Sequence, residues 1–200
     1  LWHDVVSRSA VRLRPAVSST VIQQASWQML ADRIEQTTDP VLKANLQIVA
    51  RHVVAEVAGD IPELMSTLVA EPVYRIWGTS ESVGPRGRDQ VEEHYRRLVA
   101  SGKNRLEYHI GRVVVDQHSV VTEGEFRFAY RGSDLTRTSG IDTELVDADG
   151  WYLVAYQCLV VWPIADHGLI AGEEIYTGEH TRVIKQLVAG EMSNLGPILR

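Results

Sequence analysis

Apolar residues recur at helical spacing through the first half of the chain and at strand spacing through the second. Val21 to Gln36 carries Ile22, Ala25, Met29, Leu30 and Ile34 near a 3.6-residue period, which predicts a helix. Thr37-Thr38-Asp39-Pro40 stops it and offers Asp39 as N-cap and Pro40 as first residue of the next. That second helix spans Pro40 to Ala58 with a stripe of Leu42, Leu46, Val49, Val53 and Val57, and Gly59 ends it. Asp60-Ile61-Pro62-Glu63 restarts a helix with a capping-box pattern, burying Ile61, Leu64, Met65 and Leu68 until Glu71-Pro72 breaks it. Val73 to Trp77 predicts a short strand, Gly78 to Gly87 a polar loop, and Arg88 to Ala100 a helix with Val91, Tyr95 and Leu98 inward.

From Arg105 the period changes to two. Arg105 to Val115 and Ser119 to Tyr130 predict long strands joined by a turn at Asp116-Gln117-His118. In the second, Thr122, Gly124, Phe126, Phe128 and Tyr130 share one face, and Glu123, Glu125 and Arg127 the other, as in an antiparallel sheet buried on one side. Arg131 to Asp134 predicts a turn, and Ile141 to Val146 a short strand. Trp151 to Val161 is nearly continuous apolar sequence, the pattern of a central strand. After the breaker cluster Trp162 to Gly168, a strand is expected over Leu169 to Thr177. Leu169, Ala171, Glu173 and Ile175 would point one way, and Ile170, Gly172, Glu174 and Tyr176 the other. Val183, Ile184, Leu187 and Val188 predict a short helix over Glu179 to Ala189. Helices first and antiparallel strands after define an α+β fold. Residues 1–20 read as an arm that packs on the body or on a second subunit, 21–190 as one domain and 191–200 as a tail.

Composition narrows the function classes. A 200-residue chain, 44% hydrophobic and 23% charged, is ordinary globular material for one domain with an extension. Its net charge of −6 argues against a nucleic-acid partner. No apolar run reaches the roughly 18 residues of a spanning helix, and no signal-peptide pattern opens the sequence, so no membrane partner and a cytoplasmic location are expected. The single cysteine, Cys158, excludes an intrachain disulfide and sits in the most apolar strand, where a buried, inert thiol is expected. Gly84-Pro85-Arg86-Gly87 lacks the ending of a phosphate loop, and no nucleophile elbow occurs.

Several side chains have the chemistry for proton transfer. Glu173 falls on an apolar face, where a carboxylate needs a partner or a raised pKa; it is either a general acid or base, or a salt-bridged or dimer-face glutamate. His52 and Glu56 are four apart on one helix face and border the Val49–Val53 stripe, so they form either a histidine–carboxylate base or a surface ion pair. A metal site would want a third ligand that spacing does not supply. His94 sits at the edge of the inward helix face beside Tyr95, and His109 is mid-strand beside Tyr108, only one of the two facing inward. His118 and His167 fall in turns. Tyr74, Trp77, Tyr130, Tyr156 and Tyr176 are strand aromatics that either pack a core or line a pocket and donate to a substrate oxygen. Glu123, Glu125 and Arg127 read as an outer, solvated or subunit-facing surface.

These segments together resemble a known family. Asp60 to Gly78, with Glu71-Pro72-Val73-Tyr74 and Trp77-Gly78, resembles the opening of the nuclear transport factor 2-like fold. Gly87-Arg88-Asp89-Gln90-Val91 is similar to its next helix, Val114-Val115-Asp116 with Val120-Val121-Thr122-Glu123 to its central hairpin, and Asp166 to Tyr176 to its closing strand. The resemblance spans about residues 40–188, through order and spacing rather than one motif, and is nearest to the SnoaL-like branch beside polyketide cyclases and ketosteroid isomerases. It implies a cone-shaped, strongly curved, mostly antiparallel sheet wrapped round the N-terminal helices, with a pocket at the mouth. It also implies a homodimer, no metal or organic cofactor, and an apolar oxygenated small-molecule ligand turned over by isomerisation, cyclisation or dehydration. Some members only bind, and the alternative is a non-catalytic small-ligand-binding or assembly protein of the same fold. Epoxide-hydrolase relatives carry Arg-x-Asp on the central strand, where this chain has Glu123-Gly124-Glu125-Phe126, and relatives ending in Tyr-x-Asp differ from Tyr176-Thr177-Gly178. On this resemblance Glu173 or the His52/Glu56 pair, with His94, would move protons. Tyr74 or Tyr176 would orient oxygen, and Trp77, Tyr95, His109, Tyr130 and Tyr156 would contact the substrate.

Overall fold

A computed structural model describes residues 25–77, 84–104, 106–135, 146–178, 180–188 and 191. The expected arm over residues 1–20, most of the Gly78–Gly87 loop, all but the last residue of the strand expected at Ile141–Val146 and all but the first of the tail lie outside the described residues.

Three helices open the described chain: α1 (Ala25–Gln36), α2 (Pro40–Ala58) and α3 (Ile61–Ser66). The ends of α2 are set as its sequence dictates. The Asp39 carboxylate accepts from the amides of Val41 and Leu42, Pro40 occupies the first turn, and Gly59 takes a left-handed conformation at φ 74°. Asp60 caps α3 by accepting from the Glu63 amide. That helix is shorter than its apolar pattern implies, because Leu68 leaves it to bridge Ile170.

The sheet follows the order β1-β5-β4-β3-β2, with β6 also on β4, and its ends do not meet, so it is open rather than a closed barrel. Its strands are β1 (Arg75–Trp77), β2 (Glu107–Val115), β3 (Ser119–Arg131), β4 (Trp151–Pro163), β5 (Glu174–Thr177) and β6 (Arg182–Gln186); α4 (Arg88–Ser101) and a single turn, α5 (Gly132–Leu135), lie between them. α5 replaces the turn expected after β3. β4 is central as expected, paired with β3 along its whole length. β1 and β5 run parallel; the other pairs are antiparallel.

Two expectations are corrected. The C-terminal helix is a strand: β5 covers β4 only from Cys158 to Val161, and the open edge at Tyr152–Ala155 is taken by Arg182–Gln186, where β-branched Val183 and Ile184 suit a sheet. The closing strand does not alternate from Leu169 onward. It is regular only from Glu174, and Gly172 at φ 147° breaks the period, so that Ile170 and Glu173 are both buried. A Cβ on Gly172 would lie 1.9 Å from the Val73 carbonyl oxygen, so no other residue fits this backbone.

The inner face of the sheet carries the core. Tyr108, Phe126 and Tyr156 are neighbours across β2, β3 and β4, with Phe128 beside them. The Tyr108 and Phe126 rings stack at 4.0 Å, and Tyr156 stacks on both Phe126 and Phe128 at 5.8 Å. α1 lies against β2, and α2 against α1 and the inner face of β2 and β3. Asn45 pins α2 to the β2–β3 turn through the Asp116 and Gln117 carbonyls. On the outer face Arg127 donates to Glu125 at 2.8 Å and Arg112 meets Glu123 at 3.1 Å; Arg127 is only 8% exposed, which corrects the solvated surface expected of it. Cys158 is buried with a free thiol, and desolvation pushes its pKa up to about 12.

Candidate active site

The polar centre of this core is built by five segments. α2 contributes His52, which sits on the helix's buried stripe between Val49 and Val53 and is 0% exposed. Thr67, the residue after α3, faces it. Tyr95 comes from the inward side of α4, and Tyr74 from the residue just before β1. Glu173 is delivered by the turn at Gly172 and held through its carbonyl, which accepts from the Arg75 amide at 2.7 Å.

The distances make one network. His52 Nδ1 lies 2.7 Å from Thr67 Oγ1, and His52 Nε2 lies 3.0 Å from the Tyr95 hydroxyl and 3.3 Å from Glu173 Oε1. Tyr95 donates to Glu173 Oε1 at 2.8 Å, and the Tyr74 and Tyr95 hydroxyls are 2.9 Å apart. Glu173 is 6% exposed. The Trp162 ring meets His52 edge-on at 5.5 Å, while its indole donates to Thr122 Oγ1. This walls the network with apolar surface. Burial, then the charge of Glu173, holds both Tyr74 and Tyr95 well above the ordinary phenol pKa, so they remain O–H donors.

Glu56 is one turn beyond His52 and partly buried. Desolvation, with repulsion from Glu173, pushes its carboxyl up to about 8. His94 is partly buried too, its ring edge-on to Tyr95 at 5.4 Å and to Tyr74 at 6.5 Å. It lines a surface cleft of about 370 Å³ with Gly84, Pro85, Gln90, Glu93 and Arg97. Desolvation lowers its pKa, partly offset by the charge of Glu173.

The structure therefore brings Glu173, His52, Tyr95 and Tyr74 together, with Glu56 and His94 beside them. The carboxylate that holds His52 is Glu173, not Glu56, which corrects the expected pairing along α2. Tyr156 and Tyr130 belong to the inner aromatic face, Tyr130 under the Lys103 ammonium at 4.6 Å. Three expected contacts lie elsewhere. Tyr108 takes the inward position, so His109 points outward towards Glu107. Trp77 and Tyr176 are paired across β1 and β5 on the outer face, stacked at 6.0 Å and exposed. Thr67 was not anticipated; its signal was a hydroxyl three residues after Leu64, on the buried side of a capped helix. Among the described residues no three His, Cys, Asp or Glu side chains converge as around a metal ion. Nor is any described helix long and apolar enough to cross a membrane.

No family model matches the chain, and no curated protein matches it in sequence. Solved structures do match. A candidate SnoaL-like polyketide cyclase from Jannaschia sp. CCS1 superposes with a TM-score of 0.52 at 16% identity, covering 81% of this chain and 99% of that one. A nuclear transport factor 2-like protein from Anabaena variabilis ATCC 29413 superposes at 0.50 and 14% identity, over 72% of this chain and 95% of that one. RV0760c from Mycobacterium tuberculosis, solved in complex with estradiol-17beta-hemisuccinate, superposes at 0.50 and 13% identity, over 66% and 92%. The chain thus has the nuclear transport factor 2-like fold, with the SnoaL-like polyketide cyclases among its structural neighbours.

Proposed function

We propose that this protein is an acid–base enzyme, working without a cofactor, that isomerises, cyclises or dehydrates an apolar, oxygenated small molecule. The observation that carries this reading is the contact of Glu173 Oε1 and His52 Nε2 at 3.3 Å, with the Tyr95 hydroxyl within 3.0 Å of both. A carboxylate, an imidazole and a phenol sharing one buried point can accept a proton from carbon and return it to oxygen or carbon. Tyr74 and Tyr95 are donors suited to a carbonyl that gains negative charge, and the raised pKa of Glu56 favours its proton-bearing form, able to donate as well. The Trp162 ring, edge-on to His52 at 5.5 Å, offers an apolar surface suited to a ring substrate. The steroid ester bound by one structural neighbour supports that substrate class.

The test is a turnover panel of β,γ-unsaturated steroid ketones, linear poly-β-ketone esters and hydroxylated aromatic ketones, followed by absorbance and mass spectrometry. The expected result is conversion of at least one class, lowered about 100-fold or more in Glu173→Gln and in His52→Gln. Conversion unaffected by either variant would overturn the assignment. Ligand binding without turnover is the alternative, favoured by the nearly complete enclosure of Glu173. It predicts that steroid esters bind tightly, with no member of the panel converted.

A further inference from the structure

We propose that Thr67 is a positioning residue that fixes His52 in one tautomer, so that Nε2 alone exchanges protons, and that His52 and Glu173 hold one mobile proton between them. This rests on the acid–base reading and specifies the proton state in which it works.

The argument is a count of hydrogens. Thr67 has one hydroxyl hydrogen, and Oγ1 lies 2.6 Å from the Leu64 carbonyl oxygen. Two oxygens that close require the hydrogen between them. Thr67 Oγ1 therefore offers only a lone pair to His52 Nδ1, 2.7 Å away, and Nδ1 must carry its own hydrogen. That holds whether the ring is neutral or charged, so protonation changes only Nε2. The backbone strengthens the arrangement, because the Thr67 carbonyl accepts from the Ile170 amide at 3.0 Å and fixes the residue to the segment that delivers Glu173.

At the other nitrogen the count also closes. Tyr95 gives its hydrogen to Glu173 Oε1, and Tyr74 can give its own to Tyr95. Nε2 and Oε1 then face each other at 3.3 Å, and without a hydrogen they are two repelling acceptors. One hydrogen resolves it, either on Nε2 with Glu173 ionised or on Glu173 with His52 neutral. Moving it from Nε2 to Oε1 returns the lone pair to nitrogen and leaves the net charge unchanged. The other groups around the His52–Glu173 pair are Glu56 on the same helix, Tyr95 and His94 on α4, Tyr74 before β1, Tyr108 on β2, and Trp162 and Cys158 on β4. None of them has a hydrogen bond to Nδ1.

The experiment is long-range proton–nitrogen correlation NMR of the full chain labelled with ¹⁵N-histidine, from pH 5 to 9, with His52 assigned by His52→Gln. The expected pattern keeps Nδ1 protonated throughout, with any titration confined to Nε2. Thr67→Val, which keeps the shape and removes the acceptor, should move the neutral ring towards the Nε2–H form. It should also lower kcat about tenfold or more with KM little changed. Thr67→Ser should restore both. A wild-type ring with a bare Nδ1 would overturn the proposal, as would a Thr67→Val spectrum like the wild type. Should Thr67→Val not fold, the wild-type spectrum and Thr67→Ser decide alone. The spectrum needs no substrate, so a protein inactive on every substrate would overturn the enzymatic reading and leave the tautomer result standing.

Discussion

Glu173 Oε1 lies 3.3 Å from His52 Nε2, and the Tyr95 hydroxyl touches both. This buried three-way contact distinguishes the core from simple packing, because three polar groups meet there on one another. Tyr95→Phe removes the shared hydroxyl and with it one hydrogen bond of Tyr74. It should destabilise the fold by about 1–2 kcal/mol, read from denaturant midpoints, and lower kcat about 10–100-fold.

Glu56 gives the fold a pH dependence of known sign. Its folded pKa, about 8, is above the ordinary carboxylate value of 4.5. Between these two values the unfolded chain has lost the proton while the folded chain keeps it. Stability from this group is therefore full below about pH 4.5, falls as pH rises towards 8, and is level above. Glu56→Gln should remove that slope and be more stable than the wild type at pH 9, with little difference at pH 4. Urea melts across pH 4 to 9 check it; a wild-type slope retained in Glu56→Gln would contradict it.

Gly172 turns the chain so that Glu173 points inward. With φ 147° and the Val73 carbonyl 1.9 Å from where a Cβ would stand, Gly172→Ala should cost about 3 kcal/mol or more. It should also abolish activity in whatever fraction folds. Thermal melts give the first effect. A variant as stable as the wild type would show that the backbone here relaxes freely.

Much of this fold is legible from local sequence. Asp39, Pro40 and Gly59 mark α2 because capping is a short-range matter, and Phe126 and Phe128 mark the inner face of β3 because strand period is two. Glu173 and His52 are suspect individually, each a polar group on an apolar face. Their partnership is not legible, since the sequence neighbour Glu56 competes for His52 and only tertiary packing brings β1, α4 and the Gly172 turn to one point. Gly172 also defeats the alternation rule, as its positive φ lets Ile170 and Glu173, three residues apart, both turn inward. β6 is misread as a helix because Val183, Ile184, Leu187 and Val188 fit a helical stripe, and the open edge of β4 that recruits them is a property of the sheet.

Cys158 offers a direct check on the enclosure of the inner face. Its thiol is 1% exposed and its pKa is pushed up to about 12 by desolvation, then by the charge of Glu173. Ellman's reagent at pH 8 should leave it unmodified in the native protein and label it fully in guanidinium. Rapid labelling of the native chain would show that the core beside Glu173 opens.

The measurement that bears most directly on proton transfer at Glu173 needs no knowledge of the net reaction. Steroid and polycyclic aromatic ketones are incubated with the protein in D₂O, and deuterium entering the carbon beside the carbonyl is followed by NMR. Exchange accelerated by the wild type and lowered about 100-fold or more in Glu173→Gln is the predicted result. Exchange that proceeds equally in Glu173→Gln, or that the wild type accelerates for no ketone, would contradict it.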